Sequence, residues 1–202
     1  DAYNEGTAWK ITDAVGLIFF AKVVNASDVT TQYDFLEKTV YLAADIDMSS
    51  IEEWMPVNTT EPYKTIHFDG DGHTISNLLS NATVKTGLFG SLIGSVKNVT
   101  FKDCELMTGT DKTGAGLIAG YAKNATIENV TVNGLTITSS GYKADGANIG
   151  GLVGIAEDCI FKNNNITLNV QDNNADEKTP STVGGMIGVL KGTTNTVENC
   201  NT

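Results

Sequence analysis

"GLFGSLIGSVKNVTF", residues 87–101, sets three glycines in an apolar stretch that runs directly into an alternating, strand-like segment. Two readings compete: glycines that cradle a ligand, or glycines that let one piece of backbone lie close against another. The rest of the chain decides between them, because the pattern returns three more times. It recurs as "GLIAGYAKNATIENVTV" from 116, "GLVGIAEDCIFKNNNITL" from 151 and "GMIGVLKGTTNTVENCN" from 185. The leading glycines Gly87, Gly116, Gly151 and Gly185 stand 29, 35 and 34 residues apart, and an asparagine follows each: Asn98, Asn129, Asn164 and Asn199.

Between these markers the apolar residues alternate, as in Val99 and Phe101, Val130 and Val132, and Leu135 and Ile137. A period of two is that of a β-strand, and helical spacing is absent from this half of the chain. Each copy holds about three short strands broken by Gly, Asn and Asp, too little to bury its own apolar face, so neighbouring copies must stack. The expected fold is therefore all-β: a right-handed parallel β-helix in which each turn adds a rung to several parallel sheets. The glycines then mark close approach between turns, and the asparagines mark corners, where a left-handed backbone is tolerated.

The first third reads differently. Thr12 is the expected N-cap of a helix over residues 13–25, in which Val15, Ile18, Phe19, Lys22 and Val23 form a stripe. Such a helix suits a cap over the open end of a solenoid. "TVYLAADIDM", 39–48, alternates Val40, Leu42, Ala44, Ile46 and Met48 and is expected to start the rungs. One domain follows, with first rungs over 39–86 and four copies over 87–202, the last incomplete. The stop just after "VENCN" leads to the expectation that the native chain continues or that this end packs against a partner.

With these residues in view, "YLAADIDMSS", "EEWMPV" and "YKTIHFDGDGHTISNL" resemble the N-terminal part of bacterial surface proteins that carry GLUG repeats, and "GLFG", "GLIAG", "GLVG" and "GMIG" resemble the GLUG motif itself. The resemblance covers nearly the whole chain. It implies a pectate-lyase-like right-handed β-helix, of the kind found in gut Bacteroidales, in some Gram-positive bacteria and in the non-catalytic repeats of IgA-specific metallopeptidases. It also implies surface display, adhesion and contact with glycans or host proteins, and no particular chemistry. Departures are small: the family has Asn where this chain has Asp71, and glycine is common near Thr65.

Composition narrows the partners. The net charge is −11, from 24 acidic residues against 13 lysines and no arginine, and no basic cluster exists to hold nucleic acid or an anionic membrane. No stretch reaches the roughly 18 apolar residues of a membrane span; "VGLIFFAKVV", 15–24, is short and carries Lys22. The chain opens at Asp1 without methionine or signal-like segment, as a processed or excised product does, so any signal or anchor has been removed from view. Cys104, Cys159 and Cys200 lack metal-site spacing and read as small buried hydrophobes, with a pair bridged only where two stack in adjacent turns.

Candidate chemistry is sparse. No copy of the glycine pattern has the lysine and following helix of a phosphate loop, and no cofactor is implied. "HFDGDGHTI", 67–75, brings together His67, Asp69, Asp71 and His73 and resembles a metal or acid–base site, although Asp-Gly twice over is turn chemistry; Asp69 and Asp71 are the candidate cation contacts. Tyr121 and Tyr142 are candidate platforms for sugar rings or a protein partner, whereas Trp54 reads as packed. "QDNNADEKTPS", 171–181, is the most polar insertion. Seven N-x-[ST] sequons read as by-products of Asn at corners and Thr on strands. Polysaccharide lyases and hydrolases share the β-helix, but no arginine is present and no acidic cluster is expected on one sheet. The reading is a non-catalytic, adhesin-like binding module at the bacterial surface or outside the cell.

Overall fold

The computed structural model describes residues 2–5, 8–26, 39–81, 85–108, 114–139, 147–172 and 181–202. Tyr142 and residues 173–180 of the polar insertion lie outside them. The chain is the expected parallel β-helix, with one short helix among the described residues. The main sheet runs through Ala2–Glu5, Ala8–Ile11, Thr39–Leu42, Thr65–Asp69, Phe89–Thr108, Ala119–Ser139, Val153–Glu157 and Ile187–Lys191. Only the first pair is antiparallel; every later neighbour is parallel. A smaller sheet stacks Gly114–Ala115, Asn148–Gly150 and Thr182–Gly184.

Parallel stacking in register turns the period-two pattern into columns up the axis. Trp9, Val40, Phe68, Val96, Ile127, Phe161 and Val197 form one, and Ile46, Ile75, Phe101, Val132 and Ile166 another. All but Val197 are at most 2% exposed. Burying each such side chain stabilises the fold by about 1.5–3 kcal/mol.

The stack starts one rung earlier than the sequence suggested. Trp9 and Ile11 precede Val40 and Leu42 in the columns, so the 39–48 segment is the second rung and the helix is inserted between the two. The helix runs Ala14–Asn25, and its N-cap is Asp13 rather than Thr12: the Asp13 carboxylate accepts from the Gly16 N–H at 2.7 Å. Leu17, Phe20, Ala21 and Val24 join the core beside Trp9 and Ile11. The Lys64 ammonium donates to the carbonyls of Val24 and Ala26, placing a cation at the negative end of the helix.

The corners differ from expectation in two ways. Strands do not break at every Asn: Phe89–Thr108 and Ala119–Ser139 run 20 and 21 residues through several bends. A single left-handed residue turns the ribbon while the ladder continues on either side. The corner positions form three stacks, Asn124, Asp158 and Gly192; Asn98, Asn129, Asn163 and Asn199; and Asn77, Asp103 and Gly134, all at positive φ, while Gly94, also at positive φ, pairs with Ala125 beside a shift of register. The third member of the asparagine ladder is thus Asn163, not Asn164. Asn98 joins Asn129 at 3.1 Å and Asn163 joins Asn199 at 3.4 Å. Asn164 instead points inward, wholly buried in the column of Val99, Val130 and Cys200.

The glycine motif marks close approach. A Cβ on Gly87, at φ +153°, would lie 2.1 Å from the Gly116 carbonyl oxygen, and one on Gly151 would lie 2.3 Å from that of Gly185. No side chain fits where one copy crosses the next.

Candidate functional site

The "HFDGDGH" segment crosses the third rung, and its side chains diverge. Asp69 is 6% exposed and closes the turn by accepting from the Asp71 N–H at 2.9 Å. It also accepts from Asn98 Nδ2 at 3.1 Å and pairs with Lys97 at 3.2 Å, so the adjacent rung supplies its cation. Asp71 sits exposed at φ +49° on the turn. His67 Nδ1 meets Ser95 Oγ at 2.9 Å, while His73 Nδ1 meets Asp45 Oδ1 at 3.3 Å. Asp45 is held below the usual aspartate range by the Thr74 N–H and then by His73. Among the described residues no three His, Cys, Asp or Glu side chains are grouped to hold a metal ion.

Tyr121 lies in a second polar cluster. Its hydroxyl donates to Glu157 Oε2 at 2.8 Å, and Lys123 pairs with Glu157 Oε1 at 2.8 Å. Burial, then the Glu157 carboxylate, pushes the Tyr121 hydroxyl up to about 12. Lys85 Nζ lies 4.4 Å from the Tyr63 ring centre and 5.4 Å from that of Tyr121. Lys85 also donates to Tyr63 Oη at 2.6 Å and Ser91 Oγ at 2.9 Å. Tyr121 is therefore half-buried and tied to its neighbours at both ring and hydroxyl. Trp54 is packed, 2% exposed, with Nε1 donating to the Leu88 carbonyl at 3.1 Å.

These contacts belong to longer outward columns. Asp69, Lys97, Glu128, Lys162 and Glu198 occupy one register position on successive rungs, alternating in sign. Lys123, Glu157 and Lys191 do the same at another register position along the strands. Thr74, Thr100, Thr131 and Asn165 form a hydroxyl and amide column. Opposite charges and paired hydroxyls on adjacent strands contribute roughly 0.2–1 kcal/mol per pair. Sequence reasoning missed the charge columns because members 28–36 residues apart align only once the unequal insertions between copies are known.

It also missed a groove. Where Gly134 bulges out between Asn133 and Leu135, opposite Thr167 and Leu168, the surface opens into a depression of about 510 Å³. Asp103, Glu105, Thr136, Thr167 and Asn169 supply its polar lining. Glu105, Thr136 and Asn169 share one register position on three successive rungs, so acceptor, hydroxyl and amide repeat at the strand spacing of about 4.8 Å. Regularly spaced polar groups of this kind suit a polymer with repeating hydroxyls.

The fold and its outer faces define a parallel β-helical repeat module. No family model matches the chain. Halomucin of Haloquadratum walsbyi is 38% identical over 131 residues, 57% of this chain and 1% of halomucin. The immunoglobulin A1 protease of Streptococcus sanguinis is 32% identical over 167 residues, 78% of this chain and 8% of that protein. The chain thus spans a small part of the length of either relative. A crystal structure of an immunoglobulin A1 protease-like protein from Bacteroides ovatus superposes with a TM-score of 0.61 and 22% identity, covering 98% of this chain and 75% of that one, which shows a shared fold. No helix among the described residues is long and apolar enough to cross a membrane.

Proposed function

We propose that the chain is a non-catalytic, adhesin-like module of GLUG-repeat type, displayed outside the cell, that binds a glycan or a host or cell-surface protein through the outer faces of its solenoid. The observation that carries this reading is the distribution of the polar side chains. Clustered acids, bases and tyrosines hold one rung to the next, and the Asp103 to Asn169 groove offers repeated hydrogen-bonding groups on a rigid scaffold. Similarity to segments of halomucin and of an immunoglobulin A1 protease supports a surface-associated repeat module. The test is a binding screen against glycans and host-matrix proteins, repeated with Glu105→Gln and Asn169→Ala. Both positions are on the outer face, so the variants are expected to keep the wild-type melting temperature and to bind the selected ligand about tenfold more weakly, as for the loss of one or two hydrogen bonds. A screen without ligands, or variants that bind as the wild type does, would contradict the groove as the contact.

A further inference from the structure

Among the described residues, Lys97, Lys102, Lys123 and Lys162 each meet a carboxylate, and Lys64 meets the carbonyls at the end of the helix. Lys85 is different: it is partly buried, and its partners are all neutral. Its ammonium donates to Tyr63 Oη and Ser91 Oγ and lies against the rings of Tyr63 and Tyr121, and no carboxylate among the described residues pairs with it. The surroundings are built around that cation. Ser91 shares a register position with Tyr121, and Tyr63 stands two residues before Thr65 as Ser91 does before Ile93, the partner of Thr65. One outward column therefore reads Tyr63, Ser91, Tyr121, and its small middle residue leaves a slot that the Lys85 side chain enters. Asn58, 2% exposed, fixes one wall of the slot. Its Oδ1 accepts from the Lys64 N–H at 2.9 Å, and its Nδ2 donates to the Lys64 carbonyl at 2.9 Å and the Ser91 carbonyl at 3.1 Å. A buried amide satisfied in this way closes the 58–64 loop on itself and on Ser91, and so holds Tyr63 at the slot. Glu157 holds the other wall through the Tyr121 hydroxyl.

The donors left over state what chemistry fits there. An ammonium carries three N–H groups, and two are used within the slot. Tyr63 Oη accepts from Lys85 and keeps its own proton to donate, with no acceptor among the described residues. One positive charge, one ammonium N–H and one phenol O–H thus converge beside two partly exposed ring surfaces. Two donors and one charge match the two oxygens of a carboxylate, and the rings match the C–H face of a pyranose. One ammonium in a chain of net charge −11 does not suit a polyanion, which needs clustered cations. We propose that Lys85, Tyr63 and Tyr121 form a binding site for a single carboxylate-bearing sugar carried on an otherwise neutral glycan. The site rests on the reading of the chain as a glycan-binding module, shares no residue with the Asp103 to Asn169 groove, and assigns a charge to part of the ligand.

The test titrates the intact chain with sialyllactose and with a glucuronic acid-terminated trisaccharide, each beside its methyl ester. At least one acid form is expected to bind saturably and its ester roughly tenfold more weakly, as loss of a charge-assisted hydrogen bond requires. Lys85→Met keeps the aliphatic stem and removes the charge, and is expected to abolish the difference between acid and ester; Lys22→Met, which removes an exposed charge on the helix, is expected to preserve it. In the wild-type chain, whatever the folding of a variant, the bound acid sugar is expected to shield Lys85 from acetic anhydride while Lys22 goes on reacting, as read by peptide mass spectrometry. Equal binding of acid and ester overturns the proposal, as do acid binding that survives in folded Lys85→Met and an unshielded Lys85 at saturation. Equal competition by an acetylated tripeptide with a free C-terminal carboxylate overturns the sugar as the ligand. Neutral glycans that bind while neither acid form does overturn this site alone, whereas failure of every glycan overturns the functional reading with it.

Discussion

Asn164 is the position where the columns make their most exacting demand. It lies in a stack whose other members are Val99, Val130 and Cys200, so a valine there matches the repeat. Yet Asn164 Oδ1 accepts from the Val130 N–H at 3.0 Å, and Nδ2 donates to the Ile127 carbonyl at 3.0 Å and to Cys200 Sγ at 3.6 Å. Asn164→Val keeps the volume and turns an alkyl group toward a buried N–H. Leaving that donor unpaired costs about 1–3 kcal/mol, and loss of the carbonyl bond adds about 1 kcal/mol. The added apolar surface returns about 1 kcal/mol, for a net loss of about 2 kcal/mol. For a chain of this size the melting temperature should fall by about 4–8 °C. Circular dichroism melts measure the loss, and amide exchange at Val130 reports it locally. A variant as stable as the wild type, with Val130 exchange unchanged, would refute the assignment of Asn164 as a partner to the backbone.

Three further outcomes follow from the same geometry. Gly87→Ala, whose Cβ would lie 2.1 Å from the Gly116 oxygen, should cost roughly 3 kcal/mol or more by denaturant titration, whereas Gly72→Ala, at φ +82° with nothing within 4 Å, should cost about 1 kcal/mol. Of the three free thiols, only half-exposed Cys200 should be alkylated in the native protein at pH 8. Cys104 and Cys159 are buried, and burial pushes the Cys104 thiol up to about 11, so both should react only after unfolding. Asp158 is held below the ordinary aspartate value by the Thr194 backbone N–H, then the Thr194 hydroxyl and the Thr193 N–H. Its contribution is complete above that ordinary value and disappears as pH falls through the lowered one, so acid titration should destabilise the wild type more than Asp158→Asn. Equal acid sensitivity of the two proteins would remove Asp158 from that role.

Much of the fold could be read from residue order, and the reasons are specific. The glycine copies and alternating Val, Ile and Phe state a stack of parallel rungs, because only stacking buries such short strands. The first rung was hidden because "AWKI", 8–11, is four residues long and separated from its partner strand by the helix and residues 26–38. Asn163 and Asn164 are adjacent and chemically identical, so spacing cannot tell the left-handed corner from the inward position; only register can. Asp69 and both histidines look convergent in a line of nine residues, but the Asp69–Gly72 turn carries His73 round the corner to Asp45 of the preceding rung, while His67 and Asp69 meet Ser95 and Lys97 of the following one. The groove depends on the Gly134 bulge, which displaces the register by one residue between Asn133 and Leu135. No local motif signals it.

Binding and cleavage measured on the same sample separate a scaffold that presents a surface from an enzyme. The purified chain is titrated into the glycan or matrix protein selected by the screen, and the ligand is then assayed for new reducing ends, unsaturated products or peptide cleavage, with and without Ca²⁺. Saturable binding that Glu105→Gln and Asn169→Ala weaken, with the ligand recovered intact, is the expected result. Ligand cleavage that persists through purification would contradict it.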